Sequence, residues 1–434
     1  MPHVDNHPRD AQAVHDTIQA MVSEIMRPLV RLPRAKFLYE AVSGIVRQRT
    51  LVQRDIARAL NETSKAPGTV ERRLVEHIND AALPGSVNTG LLRHAASRIM
   101  VHTPIAIDLT DTQRPYARRT PGAEANYDGS TGKPGWGYTH IGVAAVLPGD
   151  DGVELLPLYQ ETYALEHTSA EHTDDPLQID SSFAHYQRAV RALHDTLGGP
   201  VGIDVMDRGM DSRRCFGCEL HYCRWFLIRL CERRRKLRIA GMPAAMYPAD
   251  VPRHVQEWHT VFCHVFNKKT RTWRMRRCQM AWCTVLVEVQ YPDGSVAEVP
   301  LTLVIVTRGG RAMFLLTNLT IDDANDPVAF AKMLYETYLA RWTVETCFDL
   351  LKNRINVERI FARTMTAAKS LFALAWLAVA CILEAFPAGA EATDAVIAYV
   401  TALHRTRPAR HLFYTVFTAL TRIWSHMTVV CSLH

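Results

Sequence analysis

Short apolar runs of strand length follow one another through the first half of the chain. They cover residues 104–107, 137–146, 154–159 and 201–206, with a helical segment at about 184–198 before the last run. Runs this short favour buried strands when turns bound them. The pattern therefore predicts the order strand, strand, strand, helix, strand, which is typical of an α/β fold.

A second group of strands is predicted farther along the chain. Residues 284–291 lead into Pro292-Asp293-Gly294, and an Asp-Gly pair between two strands is a typical hairpin turn. Residues 301–317 predict another hairpin with its turn at 308–311. Because most connections between elements are short, we interpret about 238–298 as a mainly β insertion.

The longest predicted helix runs from about 327 to 354. Asp326 and Pro327 supply an N-cap and a proline at the first helical position. At 100° per residue, four polar side chains then fall within about 60° of one another on the helix surface; they are Tyr338, Arg341, Glu345 and Lys352. An adjacent apolar stripe is suited to packing on a sheet. The polar stripe indicates a functional site, in which Glu345 can bind a metal ion while the two cations hold phosphates.

Acidic residues also lie at two of the predicted strand ends. Asp108 follows the run 104–107, and Asp111 is the alternative three residues later. Asp204 and Asp207 compete at the other strand, where period-two alternation places them on opposite faces if both are extended. At most one of those two can therefore join a site with Asp108. Carboxylates suit Mg²⁺, which takes hard oxygen ligands.

Composition and charge narrow the class of protein. A chain of 434 residues, 48% hydrophobic and 22% charged, suggests two or three folding units of a globular protein. Its net charge of +6 is compatible with a polyanionic partner. The ten cysteines show no disulfide framework, which favours a reducing cytosol. The apolar segment 371–383 is short for a membrane span, so we expect a buried helix and a cytoplasmic protein.

One cysteine cluster has two interpretations. Cys215, Cys218, His221 and Cys223 are possible zinc ligands, yet a structural zinc site normally draws two ligand pairs from distant segments. Burial of small side chains is the better interpretation.

Three amphipathic segments, at about 37–46, 51–60 and 69–78, predict a helical unit at the N-terminal end. Arg72 and Arg73 lie in the third segment, and the arrangement is similar to a helix-turn-helix placed against DNA. The alternative is that both arginines belong to a solvated helix surface.

The spacing Tyr-x2-Arg-x3-Glu-x6-Lys over residues 338–352 resembles the signature of bacterial insertion-sequence transposases of the insertion-sequence-four type. Asp207-Arg208-Gly209 resembles the second-acid motif of that family, which favours Asp207 over Asp204. The resemblance implies an α/β fold with an RNase H-like mixed sheet flanked by helices. It also implies that Asp108, Asp207 and Glu345 are catalytic residues that bind two Mg²⁺ ions, with Mn²⁺ as a substitute.

The same resemblance implies the partners and the division of the chain. Tyr338, Arg341 and Lys352 would contact double-stranded DNA at the terminal inverted repeats. Target DNA would be the second substrate, and the working complex would be a homodimer. The domains would be a helical DNA-binding domain at 1–100, a catalytic domain in two parts at 101–237 and 299–364, the mainly β insertion at 238–298, and C-terminal helices at 365–434.

Two further DNA contacts are predicted. Arg208 follows the second acid and can assist at a phosphate. Trp273 lies among arginines, a pattern that suits stacking on extruded bases. For Trp258 and Trp282, filling a β core is the stronger interpretation.

The sequence thus predicts a DNA transposase that cleaves the ends of its element and joins the 3′ ends to target DNA. Two alternatives stay open: a metal-dependent RNase H-like nuclease without strand transfer, and a catalytically silent DNA-binding protein derived from a transposase.

Overall fold

The computed structural model of the chain describes residues 18–25, 32–59, 67–114, 120–128, 131–149, 152–163, 182–267 and 272–385. The chain divides into two compact units. The first unit comprises Met1–Ser97, Leu109–His185 and Val344–His434, and the second comprises Arg98–Asp108 and Tyr186–Thr343.

The first unit combines helices with an antiparallel set of strands. Its helices are α1 (18–25), α2 (Leu32–Gln48), α3 (Gln53–Ala59), α4 (Pro67–Ile78), α5 (Leu83–Ala96), α9 (Val344–Asp349) and α10 (Met365–Ala385). Its strands are the end of β1 (Pro104–Gln113), β2 (Glu124–Asp128), β3 (Lys133–Gly149) and β4 (Gly152–Tyr163). Strand β3 pairs antiparallel with β2 and with β4. The three predicted N-terminal helices are confirmed as α2, α3 and α4.

Helix α10 is the most apolar element described. Residues Met365–Glu384 are long and apolar enough to cross a membrane by length and composition, but 89% of that window is buried inside the protein. The helix packs on β4, α5 and α2. The prediction of a buried helix at 371–383 is confirmed, while the predicted C-terminal region beyond residue 385 lies outside the described residues.

The second unit contains a large mixed sheet flanked by helices. Its elements are the start of β1, the greater part of α6 (Ser182–Leu197), β5 (Ile203–Met206), α7 (Arg213–His221), β6 (Trp225–Arg229), β7 (Leu237–Ile239), β8 (Ala245–Met246), β9 (His259–Asn267), β10 (Thr272–Gln290), β11 (Val296–Arg308), β12 (Arg311–Thr317) and α8 (Pro327–Ala340). The strand order is β1-β5-β6-β12-β11-β10-β7-β8, with β9 also paired to β10. Strands β1, β5 and β6 are parallel, and the other pairings are antiparallel.

The predicted order of strands and helix through residue 206 is confirmed, and β2 is an addition to it. The predicted β segment at 238–298 is also β-rich, but β10 and β11 are hydrogen-bonded members of the same sheet as β6 and β12.

Both predicted hairpins are present. Gln290 pairs with Val296 across the turn that contains Gly294, whose φ is +89°. At the second turn Arg308 pairs with Arg311, and Gly309 and Gly310 both have positive φ, at 55° and 76°. A two-residue hairpin turn whose twist matches that of its two strands requires positive φ at both residues. Glycine adopts positive φ at little cost.

Two predicted element boundaries were wrong. Strand β1 does not end at Asp108, since it continues to Gln113. The helix predicted over 327–354 is broken: α8 ends at Ala340, Arg341–Thr343 is a 3-10 turn, and the segment Leu350–Ile355 after α9 is a π-helix. Because tighter and wider turns change the angle per residue, the single polar stripe drawn through Tyr338, Arg341, Glu345 and Lys352 does not apply.

The start of α8 agrees with the prediction. Asp326 accepts a hydrogen bond from the backbone N–H of Ala329 at 2.9 Å, and Pro327 occupies the first turn. The cap satisfies one of the amide groups that lack a helical partner.

The two faces of the second unit's sheet carry different chemistry. Ile203 and Val205 of β5 belong to the apolar cluster that packs against α8. Asp204 lies between them, so it points to the other face, where Arg224 donates to its carboxylate from Nε at 2.9 Å and from Nη2 at 2.6 Å. Both side chains are fully buried. Asp204 is therefore one half of a structural ion pair.

Removing one partner of this pair is expected to be strongly destabilising. In Asp204→Ala the buried guanidinium of Arg224 loses its counter-charge, so we expect the free energy of unfolding to fall by about 3–5 kcal/mol. The measurement is urea unfolding followed by circular dichroism. The matched control is Glu288→Ala, which removes the exposed partner of Arg213 and should cost at most about 1 kcal/mol. Equal losses in the two variants would contradict the assignment of Asp204.

Candidate active site

Asp108 lies on β1, and Asp207 follows directly after the neighbouring parallel strand β5. The paired residues of β1 and β5 include Ile105 with Asp204 and Ala106 with Val205. Continued by two residues beyond Ala106 and Val205, this register would bring Asp108 beside Asp207. Neighbouring strands are about 4.8 Å apart, and both acids fall on the face of the sheet that α8 covers.

The backbone at Asp207 is extended, with φ −84° and ψ −179°, and it precedes the 3-10 turn Arg208–Met210. Its Oδ1 accepts a hydrogen bond from the backbone N–H of Gly209 at 2.7 Å. That bond orients the carboxylate of Asp207.

Arg341 contacts the first acid. It is the C-cap residue that follows α8, it is only 4% exposed, and its Nη1 donates to Oδ2 of Asp108 at 2.5 Å. The guanidinium also lies over the ring of Trp342, 5.2 Å from its centre. Burial lowers the pKa of Arg341, but the charges of Asp108, Tyr338 and Asp207 outweigh it and raise the pKa above its ordinary value. Arg341 is therefore a permanent cation at the aspartate pair.

One nitrogen of the Arg341 guanidinium makes no hydrogen bond within the described part of the chain. The Nε of Arg341 is buried and has no hydrogen-bond partner among the residues that the structure describes. A buried donor without an acceptor is costly, so an additional acceptor at this nitrogen would be stabilising.

Tyr338 is a buried residue of α8. Its side chain is 1% exposed and belongs to the apolar cluster beneath α8. The phenol therefore packs in the core, and its predicted DNA contact stays a prediction.

Lys352 lies in the first unit, on the π-helix. Its Nζ is 3.3 Å from Oδ1 of Asp111, and Oδ2 of Asp111 accepts from Nε2 of Gln113 at 2.7 Å. The Lys352 side chain is 25% exposed. Asp111 is thus the counter-ion of the predicted DNA-binding lysine.

Close packing holds the π-helix and α9 against β3. A Cβ at Gly142 would lie 2.6 Å from Cε1 of Phe348, so only glycine permits this approach. Val344, Phe348, Leu351 and Ile355 are all buried. The apolar stripe predicted for this segment therefore packs against the protein core as expected.

A buried polar network lies next to Lys352. The ring nitrogens of His140 are 2.9 Å from Oγ1 of Thr162 and 2.8 Å from Oγ1 of Thr112. Gln160 donates to Thr162 at 2.7 Å. A cavity lined by Thr112, His140, Gln160 and Lys352 has room for about one water molecule.

Glu345 lies in the first turn of α9, and its side chain is exposed. Asp108 and Asp207 belong to the second unit and Glu345 to the first, so the three-acid site stays a prediction.

The two arginines of α4 have different environments. Arg72 is exposed, with its Nε 3.7 Å from Glu76. Arg73 is half-buried, and its Nη2 donates at 2.5 Å to the buried carboxylate of Glu40 on α2. Arg73 therefore joins two helices, and Arg72 is the more accessible of the two predicted DNA contacts.

The remaining predicted contacts are distributed over the second unit. Arg208 is exposed in the turn after Asp207. Trp273 lies on β10, where it pairs with Phe266 in the backbone register, and its side chain lies outside the described residues. Trp282 donates from Nε1 to Asp322 at 2.9 Å and stacks on His259.

The cysteine cluster lies along and just after α7. Cys215 and Cys218 are buried in the helix, whereas His221 and Cys223 are exposed. Burial raises the pKa of the Cys215 thiol to about 12, so this thiol is protonated at neutral pH.

The donor set at the aspartate pair fits a hard divalent cation. Among the described residues, no group of three or more His, Cys, Asp or Glu side chains is arranged to hold a metal ion. Mg²⁺, however, commonly uses one or two carboxylates and keeps several waters. Two neighbouring carboxylates would supply such ligands, and the ion pair of Arg341 with Asp108 shows that one of them already holds a positive charge.

Sequence reasoning missed both ion pairs of the candidate site. Arg341 and Asp108 are 233 positions apart, and Lys352 and Asp111 are 241 positions apart. No local pattern pairs residues at such separations, because the fold alone brings them together.

No protein-family model matches the chain, and no curated protein matches it. Among solved structures, a match is the cryo-EM structure of a piggyBac transposase synaptic complex with hairpin DNA. The two chains are 12% identical with a TM-score of 0.39, and the match covers 98% of this chain and 82% of that one. A likeness at this level does not establish a shared fold or function.

The state of His140 makes stability depend on pH. Burial, reinforced by the positive charge of Lys352, lowers the pKa of His140 from 6.5 to about 3. Between these two values the unfolded chain binds a proton that the folded chain does not. The free energy of unfolding should therefore fall as the pH falls, by up to about 1.4 kcal/mol per pH unit from this residue.

Urea unfolding at several pH values between about 7 and about 5 tests this dependence. The slope should be smaller in His140→Gln than in the unaltered protein. His221→Gln replaces an exposed histidine and serves as the control. An unchanged slope in His140→Gln would contradict the neutral buried state.

Proposed function

We propose that this protein is a DNA transposase of the insertion-sequence-four type, with an RNase H-like catalytic core. The observation that carries the proposal is the parallel register of β1 and β5, which would bring Asp108 beside Asp207 if it continues for two residues beyond Ala106 and Val205. The Tyr-Arg-Glu-Lys spacing of residues 338–352 adds Glu345 as the third acid.

Asp108, Asp207 and Glu345 would hold two divalent ions, Mg²⁺ or Mn²⁺. When bound, such ions activate the attacking oxygen and neutralise the leaving oxygen of a phosphoryl transfer. The protein's own contribution is positional. The strands hold the two aspartates at a fixed separation, and the hydrogen bond from Gly209 orients Asp207.

Basic side chains would hold the DNA backbone at this site. Arg341 offers a planar guanidinium that can pair with two phosphate oxygens. Lys352 adds positive charge on the first unit, and the exposed Arg208 adds it on the second. Arg72 on α4 and Trp273 on β10 are the proposed contacts outside the site, with the helical N-terminal segment as the DNA-binding domain.

The proposed reaction has two stages. Water first cleaves the DNA at the terminal inverted repeats and leaves a 3′-hydroxyl on the element. That hydroxyl then attacks a phosphodiester of the target and joins element to target, in a cytoplasmic, nucleoid-associated complex of two copies of the chain.

Replacement of Asp207 should abolish cleavage. Asp207→Asn keeps the size of the side chain but removes a charged ligand, so cleavage of a duplex carrying the terminal repeat should fall to the level measured without divalent ions. Asp195→Asn, at an exposed position on α6, should cleave normally. Full activity of Asp207→Asn would reject the proposed site.

The same reaction separates the proposed function from its nearest alternative. Paired element ends are incubated with a target plasmid, and joined products are resolved on a gel. Joined product supports a transposase, whereas cleavage without joining favours an RNase H-like nuclease. No cleavage by the folded protein, with DNA binding retained, favours a silent DNA-binding protein.

Lys352 should increase the affinity of the protein for DNA of any base sequence, because we propose that it contacts the phosphate backbone. Lys352→Ala should weaken binding to specific and random duplexes alike, and should reduce the slope of log affinity against log salt by about 0.9. Filter binding over a range of salt concentrations measures this slope. Lys133→Ala, at an exposed position of β3, is the control, and an unchanged slope in Lys352→Ala would contradict a phosphate contact.

A further inference from the structure

We propose that Arg341 acts as a latch on Asp108, which keeps divalent ions off the aspartate pair until a DNA phosphate draws the guanidinium away. This inference rests on the proposed function, because it concerns the order in which metal and DNA enter that site.

The contact itself is the first step of the argument. Nη1 of Arg341 donates to Oδ2 of Asp108 at 2.5 Å, within a buried environment where charges are weakly screened. Asp207 also attracts the same guanidinium. The negative charge of the pair is therefore already compensated by a side chain of the protein.

A divalent ion bound to Asp108 would meet this guanidinium as a competitor. An ion that takes Oδ2 displaces the hydrogen bond from Nη1, and the two positive charges repel each other at short range. Binding of the ion alone should accordingly be weak, because it must leave a buried cation without its counter-charge.

A DNA phosphate would end the competition between Arg341 and the divalent ion for Asp108. Arg341 has a buried Nε without a partner in the described part of the chain, and a phosphate can accept from two guanidinium nitrogens at once. Once the guanidinium pairs with phosphate, Oδ2 of Asp108 is released for the ion. Metal and phosphate should then strengthen each other's binding, since linkage between two sites is reciprocal.

The device would limit hydrolysis at unintended positions. An enzyme that holds its ions only when phosphate is in place does not carry a loaded site between DNA encounters.

The test is a titration of the full chain with Mn²⁺, in which the free ion is followed by electron paramagnetic resonance, so that no activity is needed. In the absence of DNA, Arg341→Gln should bind Mn²⁺ about tenfold more tightly than the unaltered protein. Arg341→Lys keeps the charge and should stay near the unaltered affinity. Arg191→Gln removes an exposed positive charge elsewhere in the second unit and should change the affinity far less than Arg341→Gln.

A second titration uses the unaltered protein with and without a short DNA duplex. DNA should tighten Mn²⁺ binding in the unaltered protein and have a much smaller effect in Arg341→Gln. Circular dichroism shows whether Arg341→Gln folds. If it does not, the titration of the unaltered protein still tests the latch, because Mn²⁺ binding that DNA does not tighten would by itself overturn it.

The outcomes separate the latch from the function on which it rests. If Asp108→Asn abolishes Mn²⁺ binding but Arg341→Gln does not tighten it, the metal site stands and the latch is rejected. If Asp108→Asn and Asp207→Asn leave Mn²⁺ binding intact, the proposed metal site fails and the latch fails with it.

Discussion

The parallel pairing of β1 with β5 is the constraint on which the candidate site depends. Parallel strands in one sheet keep a fixed register, so a residue of one strand has a defined neighbour on the next. Here the register pairs Ala106 with Val205, and its continuation by two residues would bring Asp108 beside Asp207. A shift of one residue would turn the side chains of a strand to the opposite face and separate the two acids. The site is therefore a consequence of how the core strands pack, and the buried residues Ile105, Ile203 and Val205 hold that register.

Three arginine–aspartate pairs of the second unit join residues that are distant in sequence, and the burial of the aspartate distinguishes them. Asp204 and Asp211 are both 0% exposed, and they pair with Arg224 and Arg235. Asp108 pairs with Arg341 and is 20% exposed. Both side chains of the Asp204 pair are 0% exposed, so no ligand reaches it and it supports the fold. Asp211 is enclosed as well, although its partner Arg235 is 18% exposed. The Asp108 pair can exchange its partner with ions and phosphates from solution, and this difference separates the structural acids from the candidate catalytic one.

The irregular helical segment after α8 also indicates a functional position. A regular helix would have continued the polar stripe of the sequence, but the chain passes through a 3-10 turn at Arg341 and a π-helix at Lys352. Such departures from α geometry are frequent at functional positions. In this chain they occur at the two cations that the sequence motif contributes to the proposed site.

The sequence by itself determined the elements that depend on local physics. Apolar runs located the strands, the turns at Gly294 and Gly309-Gly310 located the hairpins, and Asp326 with Pro327 located the start of α8. Alternation along β5 also separated Asp204 from Asp207. These signals are local, because capping, positive φ and side-chain alternation involve residues only a few positions apart.

Only the tertiary structure decided which side chains meet. The pairing of Arg341 with Asp108, of Lys352 with Asp111 and of Arg73 with Glu40 joins residues on different elements. The burial of Tyr338 likewise follows from how α8 packs on the sheet. The spacing of a motif states which residues share a segment, whereas their contacts and exposure depend on the packing of distant segments, which no local pattern contains.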